Sequence, residues 1–153
     1  MGASGSGKTT VGQALAARLG ARFVDADDLH PAANLRKMTD GIPLDDIDRA
    51  PWLDAVGAQL AHPGTVVACS ALRRAYRDRL RALAPDAAVV HLDAPRDVLA
   101  ERMSRRAGHF MPSALLDSQL EALEPPAPGE GALIVDATLP VEELVDEITG
   151  WLA

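Results

Sequence analysis

Residues able to do chemistry begin almost at once. Gly2-Ala3-Ser4-Gly5-Ser6-Gly7-Lys8-Thr9 matches G-x-x-x-x-G-K-[ST] at every fixed position. Glycines let the backbone curl until successive N–H groups point inward, and such a concave run of donors binds phosphate oxygens. A helix beginning near Gly7 brings the positive end of its dipole to the same place. In this pattern Lys8 reaches the terminal phosphates and the Thr9 hydroxyl ligates Mg²⁺. Gly2, Ser4, Gly5, Ser6, Gly7, Lys8, Thr9 and Thr10 are therefore the expected nucleotide-binding residues.

A second group follows in Phe23-Val24-Asp25-Ala26-Asp27-Asp28. Asp25 and Asp27 are two apart, so an extended segment puts both on one face. At the carboxyl end of a strand, one can orient the waters of Mg²⁺. The other can take a proton from an attacking hydroxyl. Cations supply the third group. Arg73 and Arg77 are four apart on an expected helix and can hold a carboxylate or a γ-phosphate by forked hydrogen bonds. Arg102, Arg105 and Arg106 precede Gly108-His109-Phe110, where arginines closing over ATP would stabilise the transferring phosphoryl group.

Positioning these groups requires an alternation of strands and helices. Phe23–Asp25, Thr65–Cys69, Ala88–Leu92 and Leu133–Asp136 are nearly continuous apolar runs, as strands covered on both faces should be. Helical stripes lie between them: Val11, Leu15, Leu19; Trp52, Leu53, Val56, Leu60; Leu72, Tyr76, Leu80, Leu83; and Val141, Leu144, Val145, Ile148, Leu152. The expected fold is α/β, a parallel sheet between two layers of helices, in one domain over residues 1–153. Two excursions, about residues 30–50 and 105–131, should form a substrate-side flap and a lid above the carboxyl edge of the sheet. Only Met1 precedes the phosphate loop where a strand should run. The first strand is thus expected to be largely absent, leaving its two neighbours unpaired.

Composition narrows the class. At 48% hydrophobic and 24% charged the chain is an ordinary globular protein, neither disordered nor a disulfide scaffold. No apolar run approaches the roughly 20 residues of a membrane span, and no secretory pattern opens the chain, so a cytoplasmic location is expected. A net charge of −7 and 3% aromatics argue against nucleic acid as a partner. Local cationic sites in an acidic protein suit a small anionic ligand. Cys69 reads as a small buried residue at a strand end, Trp52 and Trp151 as core, and His62 and His91 acquire no role. No zinc pattern is present.

Further motifs run in order along the chain: Asp25-Ala26-Asp27 with Leu29-His30-Pro31, Asn34, Lys37-Met38, and Gly41-Ile42-Pro43-Leu44-Asp45-Asp46. Asp48-Arg49, Pro51-Trp52-Leu53, Cys69-Ser70-Ala71-Leu72, Tyr76-Arg77-Asp78, Gly108-His109-Phe110, Ser118-Gln119 and Leu123-Glu124 complete them. With the phosphate loop, this series resembles the gluconate kinases (gluconokinases), small phosphate-loop kinases related to shikimate kinases. The departures are the missing first strand and Leu120, where an aromatic is expected. The resemblance implies ATP- and Mg²⁺-dependent phosphorylation of D-gluconate at its 6-hydroxyl. It implies Asp27 as base and substrate ligand, Asp25 acting on Mg²⁺ beside Thr9, and Lys8 and Arg106 stabilising the transferred group. His30, Lys37, Arg73, Arg77 and His109 would lie near substrate, Arg102 on adenine and Arg105 beside the nucleotide; a homodimer is common among such relatives. Two other readings stand beside this one: another small acid kinase such as a shikimate kinase, and a nucleotide-binding regulator that does not catalyse.

Overall fold

A computed structural model describes residues 1–105 and 113–153. Strand β1 (Arg22–Asp25) pairs in parallel with β2 (Thr65–Ala68), Phe23 opposite Val66 and Asp25 opposite Ala68. Strand β3 (Val90–Asp93) pairs in parallel with β4 (Leu133–Asp136), starting two residues later than the apolar run at Ala88. The two pairs share no strand–strand ladder. Between them, among the described residues, Met1 and Gly2 form a backbone bridge: the Met1 amino group donates to Val90 O, Leu92 N–H to Met1 O at 2.9 Å, and Gly2 N–H to Ser70 O at 3.2 Å. The neighbours are thus not both left unpaired as expected: β3 pairs with Met1 through Val90 and Leu92. A cavity of about 630 Å³ opens along this seam, walled by Leu15, Val67, Leu80 and Val90.

Helices cover both faces. α1 (Lys8–Leu19) and α7 (Val141–Leu152) pack on one side, burying Val11 and Leu15 with Leu92, Val135, Leu144, Val145 and Ile148. α3 (Asp46–Leu60) and α4 (Arg74–Leu83) enclose a second core of Ala26, Trp52, Leu53, Val56, Cys69 and Leu80. α5 (Arg96–Ser104) and α6 (Ser113–Ala122) bring Leu99, Met103 and Leu116 against Ala3 of the phosphate loop. α2 (Ala32–Thr39) stands within the first excursion. α3 starts where Asp45 and Asp48 each accept the other's backbone N–H, at 2.8 and 3.1 Å, the reciprocal cap expected of acids flanking a first turn.

Three of the four helical stripes are buried at the centre and exposed at one end, while Leu60 closes the fourth against the core. Leu19, Leu83 and Leu152 are 42–44% exposed, and all three line the cavity along the seam. Trp151 is likewise 41% exposed and is not core, whereas Trp52 is buried. Cys69 is buried as expected, and burial pushes its thiol up to about 11, so it is no nucleophile at neutral pH.

Candidate active site

The phosphate loop turns through residues whose backbone only glycine adopts without strain: Gly5 has φ +82° and Gly7, which precedes α1, φ +89°. Gly5 also backs directly onto α5, where an added Cβ would stand 2.7 Å from Leu99 O. We expect Gly5→Ala to displace the loop and weaken ATP binding at least about tenfold in a calorimetric titration, since strain and clash each cost on the order of 1–2 kcal/mol. Inside the loop, Ser6 N–H donates to Ala3 O at 3.2 Å and Lys8 Nζ to the same oxygen at 3.0 Å. Ser6 Oγ is buried and has no partner among the described residues, an orphan polar atom that suits a loop built for an oxyanion.

The acids converge on this loop. Thr9 Oγ1 donates to Asp25 Oδ2 at 3.0 Å, and Asp25 Oδ1 accepts Asp27 N–H at 3.1 Å, so both Asp25 oxygens are oriented. Asp27 does not continue the strand. It lies in a 3-10 turn, Ala26–Leu29, that Asp25 caps, so the shared-face spacing of an extended segment does not apply. The turn brings the second acid back toward the first instead. The Asp27 side chain reaches solvent on its outer side, yet desolvation by the surrounding site, then the charge of Asp25, raises its pKa above the usual carboxylate value. Lys8 acts in the opposite direction.

The turn is anchored from below. Trp52 Nε1 donates to Ala26 O at 2.7 Å, and the His30 ring stacks on Trp52 with centroids 4.5 Å apart and 9° between planes. His30 Nδ1 meets Asn34 Nδ2 at 3.3 Å, and burial lowers its pKa, so the ring is neutral beside Asp27. Lys37 is engaged by both oxygens of Asp48 at 2.7 Å.

Two cationic expectations change. Arg77 is 1% exposed: Nε and Nη2 grip Glu130 at 2.8 and 2.9 Å, and Nη1 donates to Ala71 O and Leu72 O at 3.2 Å. Four of its five donors are spent inside the protein, so it does not meet substrate. Arg73 precedes α4 with extended backbone, so the two arginines share no helix face. Arg73 reaches outward instead, 3.4 Å from Asp46 and 5.8 Å over the Tyr76 ring. Arg49 lies over the same ring at 5.8 Å and is near enough His30 to lower its pKa. Sequence places Arg49 in the motif series but assigns it no role, although it stands one helical turn before Trp52, which carries the His30 stack. Arg102 is half-buried on α5, and Arg105 is exposed in an ion pair with Glu101 at 2.5 Å. Arg106 and His109 lie outside the described residues.

A glycine-rich loop opening a helix at the carboxyl edge of parallel strands, faced by two acids and a lysine, defines a P-loop kinase fold. The family model described as "AAA domain" matches residues 1–126. The thermosensitive gluconokinase of Escherichia coli (strain K12) is 49% identical over 140 residues, covering 88% of this chain and 74% of that protein. The gluconokinase of Gluconobacter oxydans (strain 621H) is 46% identical over 153 residues, covering 97% and 86%. A crystal structure of a gluconokinase from Sinorhizobium meliloti 1021 superposes with TM-score 0.90 at 52% identity, covering 99% of this chain and 88% of that one. The chain belongs to the gluconokinase family of P-loop kinases.

Proposed function

We propose that the chain transfers the γ-phosphoryl group of ATP to the 6-hydroxyl of D-gluconate, giving 6-phospho-D-gluconate and ADP. The observation that carries the mechanism is the line of contacts from Thr9 through Asp25 to Asp27 beside Lys8. Asp27, its basicity raised by its surroundings, accepts the hydroxyl proton as the oxygen attacks phosphorus and ADP leaves. Loop N–H groups and Lys8 hold the phosphates in line and take up charge as it moves to the leaving oxygen. The Thr9 hydroxyl and the Asp25 carboxylate are hard oxygen donors of the kind Mg²⁺ takes. Bound there with ATP, the ion would neutralise phosphate charge.

Arg49 and Arg73, flanking Tyr76 above the His30 turn, supply the positive charge for the sugar acid's carboxylate. Tyr76 Oη donates to Asp46 at 2.6 Å, which fixes the ring between the two guanidinium groups. Arg49→Ala should raise KM for gluconate about 10- to 100-fold with KM for ATP little changed, as loss of a charge-assisted bond worth about 1.5–3 kcal/mol requires. An assay of ADP release with D-gluconate, shikimate and neutral sugars tests the whole reading. Turnover with gluconate alone is expected; turnover with shikimate in its place overturns the acceptor, and ATP binding without any turnover overturns the enzyme.

A further inference from the structure

The phosphate loop is held by one side chain that the mechanism above does not use. Ser4 N–H donates to Gln119 Oε1 at 2.7 Å, from 115 residues along the chain. A backbone N–H can only donate, so the Gln119 amide must turn its oxygen to the loop. That N–H and the Ala3 carbonyl belong to one peptide unit. The carbonyl side is gripped by Lys8 Nζ and Ser6 N–H, and the N–H side by Gln119. A rotation of this single peptide plane would break all three bonds together. Donation to Gln119 also polarises the peptide and strengthens Ala3 O as an acceptor for Lys8.

Gln119 is placed independently of the bond it makes. It rides on α6, where Leu116 is 1% exposed and packs with Ala3, Leu99 and Met103. Asp117 of the same helix pairs with Arg96 of α5 at 2.6 Å. The helix is therefore seated before the amide reaches the loop, which is what a device for fixing the loop requires.

We propose that Gln119 is a positioning residue for ATP binding: it locks the Ala3–Ser4 peptide and keeps the phosphate loop preset for the nucleotide. The proposal rests on ATP use at this loop, but not on gluconate as acceptor. A loop preset in the free protein spares the nucleotide the cost of ordering it, and the gain is common to ground and transition states. Its loss raises KM for ATP and leaves kcat alone.

The test compares Gln119→Leu, which keeps bulk without an acceptor, with Gln119→Glu, which keeps an acceptor. Binding of a non-hydrolysable ATP analogue with Mg²⁺ is measured by calorimetry, and Ser4 amide exchange by NMR on the free protein. Gln119→Leu should weaken analogue binding about 3- to 10-fold, speed Ser4 exchange by a similar factor and hold kcat within about twofold, as one neutral hydrogen bond implies. Gln119→Glu should retain the slow Ser4 exchange. Unchanged analogue affinity in the leucine variant overturns the proposal. So does loss of Ser4 protection in both variants, or a fall in thermal midpoint with protection lost throughout α6, which would make Gln119 a packing residue. Because the analogue titration needs no acceptor, a failure of gluconate turnover leaves it interpretable.

Discussion

Asp27→Asn lowers kcat for gluconate phosphorylation by a factor of about 10²–10⁴, the range that a positioned general base contributes. Asparagine keeps the shape and the 3-10 turn, because that turn is capped by Asp25 and anchored by Trp52 rather than by the Asp27 carboxyl. Binding of Mg-ATP should therefore stay within about threefold, an effect smaller than the loss of one hydrogen bond. The pH dependence gives a second, independent signature. The Asp27 carboxyl is active when ionised, and desolvation with the neighbouring Asp25 charge raises its pKa. Activity should accordingly fall on the acid side at a higher pH than an ordinary aspartate would give, and the residual activity of the asparagine variant should lack that limb. If KM for gluconate rises while kcat and the acid limb are kept, Asp27 binds the sugar acid and another group takes the proton.

Arg77→Ala destabilises the fold by up to about 3–5 kcal/mol, the cost of breaking a buried ion pair by removing its main cation. Both side chains of the Arg77–Glu130 pair are 1% exposed, so the carboxylate left behind keeps only the longer contact to Arg81, at 3.4 Å, and the Ala127 N–H. For a chain of this size the thermal midpoint should drop by roughly 6–20 °C. The same guanidinium holds the carbonyls of Ala71 and Leu72, and Ala71 sits at φ +42°, a left-handed conformation that costs a non-glycine residue about 1–2 kcal/mol. Releasing this loop should loosen Arg73 and Tyr76, so KM for gluconate rises in the variant even where it is still folded. The paired substitution Arg77→Met with Glu130→Met removes both buried charges and should recover part of the stability, since Arg81 loses its carboxylate partner, without recovering the loop.

Acid titration reports on the same pair. Arg77 holds the Glu130 carboxyl down to about 2 from an ordinary 4.5. A carboxyl depressed by folding adds stability that is fully present above pH 4.5 and is lost as pH falls toward 2. Denaturant midpoints of the parent chain should decline across that window, and the double methionine variant should decline less. Equal slopes would place the acid sensitivity elsewhere.

Much of the fold and half of the site could be read from local pattern. Gly2–Thr9 declares itself by spacing, because a phosphate cradle needs consecutive N–H groups and so must be contiguous in sequence. The four strands and the helical stripes were readable because burial against a sheet imposes periods of about 2 and 3.6 residues on the chain itself. Three stripe ends and Trp151 are exposed against expectation, since what lies over the end of a helix is not written in the helix itself.

The arginines mark the limit. Arg73 and Arg77 are chemically identical and four residues apart, yet one reaches outward to Asp46 and the Tyr76 ring and the other is sealed in the core. Glu130, 53 residues beyond Arg77, decides this by offering a buried bidentate partner that no feature of the 73–77 segment announces. Arg49 reaches the Tyr76 ring, and Gln119 reaches the Ser4 amide, by the same kind of distant meeting. By itself the sequence determined that this chain binds nucleotide phosphates in an α/β fold and which acids stand beside them. Only the tertiary structure decided which cations are free to meet a substrate, because a long charged side chain takes its role from whichever partner the folded chain brings within about 3 Å.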